Sequence, residues 1–265
     1  GEGFAGFAQT CGNGTAYFAT ADGRYELRDM TTVDRTLIGT FDDQPSSYFP
    51  GYVVTWRTSG DFGYDLHDLV TGEVTPLYAS SVMGDTIALY YEDGRLKVFS
   101  TATGDLITDT TVEPVENQQS AMMNNEGSGY VWLELRDNDR YETTATRVYG
   151  PEGLVSDLTH LQSKYYALNY LTTTPEGRPL YYGTAEAPSR NGSLCDVLDE
   201  TGNVALGLGD LGGCYSYYSN SLNQLPDHVF VARRGFYYGW MDTDGKWLYC
   251  QSIFSSINAD DEMGY

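Results

Sequence analysis

Short runs of alternating aromatic and β-branched residues, tight glycine turns between them, and one turn form that recurs at Gly72, Gly104, Gly153, Gly202 and Gly245 predict an all-β chain folded as a β-propeller. Short strands repeating at roughly 40 residues read as propeller blades, whereas helical repeats would place apolar residues three and four apart. Residues 30–36 hold the corresponding place before the first of these glycines without a Gly of their own, so six four-stranded antiparallel blades are expected. Seven remain open if residues 113–129 or 172–193 hide further strands.

The clearest unit is GFYYGWMDTDGKWLYCQSIF, residues 235–254. Phe236, Tyr238 and Trp240 alternate before the turn Asp242-Thr243-Asp244-Gly245, and Trp247 and Tyr249 alternate after it, at the strand period of two. Asp tolerates left-handed backbone angles and Gly adopts them freely, so the stretch reads as strand, turn, strand. Gly239, Trp240, Met241, Asp242, Gly245 and Trp247 match a Gly-Trp/Phe-hydrophobic-Asp-x-x-Gly-x-Trp pattern. On these residues the stretch resembles a WG repeat, a short bacterial repeat, and a weaker copy lies at residues 197–204.

In chain order, the first blade is expected from strands at residues 4–9, 15–20, 25–29 and 36–40. The second takes 53–57, 64–69 and 74–78, and the third 87–91, 96–100 and 106–110. The polar segment 113–129 is expected as a long connection with an innermost strand near 121–123, and the fourth blade follows with 130–135, 141–148 and 154–155. The fifth opens at 165–171 and then breaks pattern, because residues 172–193 separate this strand from an expected partner at 194–198. The sixth pairs 229–233 with the hairpin of residues 235–254. Ring closure would set residues 4–9 beside residues 247–254.

The composition bounds the function. With 37 acidic against 15 basic residues and a formal charge of −22, the chain would repel a nucleic-acid backbone or an anionic membrane surface. No apolar run reaches the length of a membrane span. The start at Gly1, without a leader, together with an acidic, Tyr-, Thr- and Gly-rich composition, resembles exported or lipid-anchored propeller-like bacterial proteins, which implies an extracytoplasmic location.

Candidate chemistry is sparse. His67, His160 and His228 lie far apart with no ligand-spaced partner, so no metal is expected, and no cofactor motif occurs. Asp242, Asp244 and Gly245 lack the further ligands of a calcium loop and read as turn chemistry, as do Asp199 and Glu200. Asp244-Gly245-Lys246-Trp247 departs in spacing from the Asp box of sialidases. Two readings remain: a non-catalytic module binding a glycan, peptide or partner protein on one propeller face, and a glycosidase-like hydrolase with carboxylates at the channel mouth.

The binding surface is expected on residues 172–193, where Tyr181 and Tyr182 accompany Arg178 and Arg190 in a long loop. The alternative for that segment is a hairpin of 168–171 against 179–183 covering the edge of its blade. Cys195 opens the third strand of the fifth blade and Cys214 the innermost strand of the sixth, so a disulfide between them is expected, with Cys11 and Cys250 apart.

Overall fold

The computed structural model describes residues 9–57, 63–115, 120–125, 130–137, 142–186, 193–210, 212–215 and 228–252. The chain divides into two compact units, residues 1–144 with 149–154, and residues 145–148 with 155–265. Among the described residues every regular element is a strand except one helical turn, Thr159–Leu161.

In the first unit, β1 (Gln9–Gly12), β2 (Thr15–Ala19), β3 (Tyr25–Asp29) and β4 (Leu37–Phe41) form an antiparallel sheet in chain order. Residues 4–8 of the expected first strand lie outside the described residues. Next come β5 (Gln44–Phe49), β6 (Tyr52–Arg57), β7 (Gly63–Asp68), β8 (Val74–Met83), β9 (Thr86–Tyr91), β10 (Arg95–Ser100) and β11 (Leu106–Thr111), all in one seven-stranded sheet. That sheet is two four-stranded groups sharing a strand. The first part of β8 pairs with β7 up to Leu77 opposite Tyr64, and the part from Ala79 onward pairs with β9, the register shifting between Leu77 and Ala79. Pro76, which has no amide hydrogen to give to a ladder, precedes the changeover.

Then β12 (Ser120–Asn125), β13 (Val131–Asp137), β14 (Glu142–Gly150) and β15 (Gly153–Asp157) make a sheet in chain order. In the second unit, β16 (Ala167–Thr173), β17 (Pro179–Glu186), β18 (Ser193–Leu198) and β19 (Val204–Asp210) make one sheet, and β20 (Gly213–Tyr215), β21 (Val229–Arg234), β22 (Tyr237–Asp242) and β23 (Trp247–Ser252) another. The described residues thus hold six antiparallel groups of four.

Three strand expectations need correction. The second group opens with β5, unread in the sequence. The third opens with the second half of β8. The long-loop reading of 172–193 gives way to its alternative, the hairpin: Leu168 pairs with Gly183 and Tyr170 with Tyr181, and because β17 pairs with β18 as well it is an ordinary second strand rather than an edge cover.

The recurring turn joins the third strand of a group to its fourth. Asp68 Oδ1 accepts the amides of Val70 and Thr71 at 2.8 and 2.9 Å, and Asp199 Oδ1 those of Thr201 and Asn203, both at 2.9 Å. Asp242 Oδ1 accepts from Asp244 and Lys246 at 3.1 and 2.8 Å. The glycines that close these turns have left-handed backbones, Gly202 at φ 84° and Gly245 at φ 80°, and Arg35 at φ 48° occurs in the turn that lacks one. The two sheets of the second unit pack through Leu171, Leu180, Cys195, Val197 and Leu208 against Cys214, Phe230, Ala232 and Met241. These side chains alternate along their strands with others that face away, as the pleat requires.

Candidate functional site

Three hairpin turns of the second unit meet around a cavity of about 300 Å³. The β16–β17 turn contributes Thr174, Pro175, Glu176 and Arg178, with Leu180 at the start of β17. The β18–β19 hairpin contributes Asp199, Glu200 and Ala205, and the β22–β23 turn contributes Thr243 and Asp244. Local chemistry shapes each wall. The first turn closes through the Thr174 amide donating to the Arg178 carbonyl at 2.8 Å and the Gly177 amide to the Thr174 carbonyl at 2.8 Å. The third is seated against β19, since a Cβ on Gly245 would lie 3.0 Å from Leu206 Cδ1.

Four acidic residues and one arginine line this space. Arg178 lies 3.7 Å from Glu176 and 3.6 Å from Glu200, with 59% of its side chain exposed. Pairs so long and so wet add little to stability, which leaves the guanidinium available to exchange partners. The Thr174 hydroxyl, hydrogen-bonded to Glu176, holds that carboxyl below its ordinary range. At Asp199 burial works upward, but the hydrogen bonds from Thr201 and Asn203 outweigh it and its carboxyl is also lowered. Neither group is therefore suited to donate a proton near neutral pH.

The four residues expected to form a binding surface are dispersed. Tyr181 is 0% exposed, and its hydroxyl is shared with Ser156 at 2.8 Å. Tyr182, one position on, faces the other side of the sheet and packs against the apolar cluster between the two sheets. Tyr181 is thus committed to the interior and Tyr182 is half-buried, and neither is among the residues that line the cavity. Arg178 reaches the cavity. Arg190 lies outside the described residues. The sequence reads Asp199, Glu200 and Asp244 only as turn chemistry; of the recurring turns, the copies at 199–202 and 242–245 are the two that line the cavity, and nothing local in them marks that.

Cys195 and Cys214 are both buried, their sulfurs 2.9 Å apart. Cys11 is buried in the first unit against the Pro45 carbonyl, where burial pushes its thiol up to about 11, and Cys250 is exposed. Among the described residues no group of three His, Cys, Asp or Glu is arranged to hold a metal ion. His67 is hydrogen-bonded to Thr55 Oγ1 at 3.0 Å and packs edge-on against Phe41, and burial lowers its pKa. His228 Nδ1 lies 2.7 Å from the Thr173 carbonyl. A partly buried network unread in the sequence lies on the face of β18 opposite Cys195. There the Tyr165 hydroxyl donates to Asp196 Oδ2 at 2.7 Å, and the Lys164 ammonium lies 3.6 Å from the same carboxylate.

Solved structures similar to the chain are distant. They include a computationally designed protein, Ika8, at 16% identity and TM-score 0.38, covering 91% of this chain and 72% of that one. BamB from Moraxella catarrhalis matches at 12% identity and TM-score 0.36, covering 91% and 71%. A variant of KlHsv2 with loop 6CD replaced by a Gly-Ser linker matches at 11% identity and TM-score 0.41, covering 93% and 83%. Likenesses at this level carry no argument about the present chain, and no curated protein matches it. Over residues 3–261 the sequence matches one family, described as "Domain of unknown function (DUF5046)", and the chain belongs to that family.

Proposed function

We propose that the chain is a non-catalytic binding module, working outside the cytoplasm, that holds a glycan or peptide, free or displayed on a partner protein, in the cavity among the 174–178, 199–205 and 243–244 segments. The observation that carries this reading is the cavity itself: about 300 Å³, with walls drawn from three hydrogen-bonded hairpin turns and a half-exposed Arg178 among carboxylates. Hydroxyl-rich or ammonium-bearing ligands suit such a lining, because carboxylates and threonine hydroxyls accept their hydrogen bonds while the guanidinium donates. The acidic balance of the chain disfavours nucleic acid.

The same proposal takes the six four-stranded groups as six blades of a closed β-propeller, with the β22–β23 hairpin as its clearest WG-like copy. The regular succession of four-stranded groups and the recurrence of one turn between third and fourth strands support that reading.

A glycan and peptide array probed with the purified chain tests the binding reading. Binding that is lost in Arg178→Ala and in Asp244→Ala, with the melting temperature unchanged, is the expected result. Binding that survives both variants overturns the assignment of the cavity, and release of hydrolysed product from an array ligand overturns the non-catalytic reading.

A further inference from the structure

We propose that Cys195 and Cys214 form a disulfide that ties together the two sheets of the second unit. Cys195 lies on β18 and Cys214 on β20, strands of different sheets with no shared backbone ladder. What joins those sheets is the apolar cluster in which both sulfurs sit, 1% and 3% exposed and 2.9 Å apart. The residues are separated by 19 positions, so the bond closes a loop long enough to restrict the unfolded chain appreciably. All four cysteines are free thiols in this structure, Cys195 and Cys214 in sulfur–sulfur contact; on oxidation Cys11, against the Pro45 carbonyl in the other unit, and Cys250, exposed on β23, stay as thiols.

The chemistry is an exchange. One thiolate attacks the sulfur of an external disulfide, either glutathione disulfide or a protein disulfide oxidant, and expels one thiol. The second thiolate then displaces the other half of the reagent, forming the Sγ–Sγ bond. Two protons and two electrons leave the pair, and the external disulfide is reduced to two thiols. Both sulfurs are sealed once the sheets pack, so the exchange belongs to folding, before Phe230 and Met241 close over the cluster. The same burial afterwards shields the bond from thiols, and an oxidising compartment supplies the reagent. The bond also sets the spacing of the cavity walls, because 174–205 belong to one sheet and 243–244 to the other.

The test uses the full chain, reduced, unfolded, and refolded in a buffer of reduced and oxidised glutathione. It is then unfolded in guanidinium, alkylated and mapped by mass spectrometry. The expected result is two alkylated cysteines, Cys11 and Cys250, and one peptide joining Cys195 to Cys214. The chain reduced while unfolded and then refolded in reductant should melt on the order of 10 °C below the bridged chain, and the same treatment should leave the melting temperature of Cys195→Ala/Cys214→Ala unchanged. Four alkylated cysteines, a linkage through Cys11 or Cys250, or a bridged chain that melts no higher than the reduced and refolded one would each overturn the proposal. Should the double variant fail to fold, the thiol count on the unaltered chain decides.

Discussion

Replacing Gly183 with alanine should destabilise the protein through a single neighbour. A Cβ built on Gly183 lies 2.6 Å from both Cγ and Cδ1 of Tyr165 and 2.9 Å from Cδ2, where carbon atoms rest at about 3.5–4.0 Å. The ring would have to retreat by about 1 Å. It has little room, being 3% exposed and tethered at its hydroxyl to Asp196 at 2.7 Å. Overpacking of this kind costs about 1–3 kcal/mol, against which the helpful loss of unfolded-chain freedom on Gly→Ala returns only about 0.4–1 kcal/mol. Tyr165→Ala by itself should cost about 3–5 kcal/mol, as large aromatic truncations do, but it also removes the obstacle. Gly183→Ala should therefore be nearly neutral in the Tyr165→Ala background. Urea denaturation of the four chains of the cycle measures this, and the expected coupling is about 1–3 kcal/mol. A cost for Gly183→Ala that persists without the Tyr165 ring, or that is absent with it, would refute the reasoning.

Gly202→Ala should also destabilise, by about 1–3 kcal/mol, because the residue has φ 84° and its Cβ would meet Leu161 Cδ1 at 2.8 Å; a chemical denaturation curve superimposable on the unaltered chain's would contradict this. Arg178→Ala should change stability by no more than about 0.5 kcal/mol, its ion pairs being long and exposed, and calorimetry reads that directly. Acid should weaken the fold. Hydrogen bonds to the carboxyls of Asp29 and Asp68 hold their folded values below the unfolded ones, so the stability they contribute is present above the unfolded carboxylate range and is lost as pH falls through the folded values. Melting temperatures should therefore drop below about pH 4, and a profile flat to pH 3 would count against the turn chemistry. The proposed closure into one ring predicts a radius of gyration near 18 Å by small-angle scattering, about the value for a compact chain of this length; a markedly larger radius argues against it.

The recurring turns were legible in the sequence because their causes are local. Asp68, Asp199 and Asp242 each satisfy amides no more than four residues away, and the glycine that ends the turn supplies a backbone angle other residues resist. Strand alternation is equally local, so the hairpin of β22 and β23 was readable from its alternating aromatic residues and the Asp-Gly turn between them. What the sequence left undecided depends on partners far along the chain. β5 carries Pro45 and two serines and has no strand pattern of its own; it is a strand because Gln44 to Phe49 pair with Trp56 to Tyr52. For residues 172–193 the sequence left a long loop and a hairpin of 168–171 against 179–183 both open, and the ladders from β17 to β16 and β18 on either side decide for the strand. Whether Tyr181 or Tyr182 faced a ligand turned on register, and one residue of difference sends a side chain to the opposite face. The cavity needed tertiary structure most of all, for its walls come from turns near residues 176, 200 and 244. Only the packing of two sheets through Cys195, Phe230, Met241 and their neighbours brings those turns together. Hydrogen bonds within four residues are written in the local sequence, whereas apolar packing is non-directional and takes its partners from wherever the chain returns.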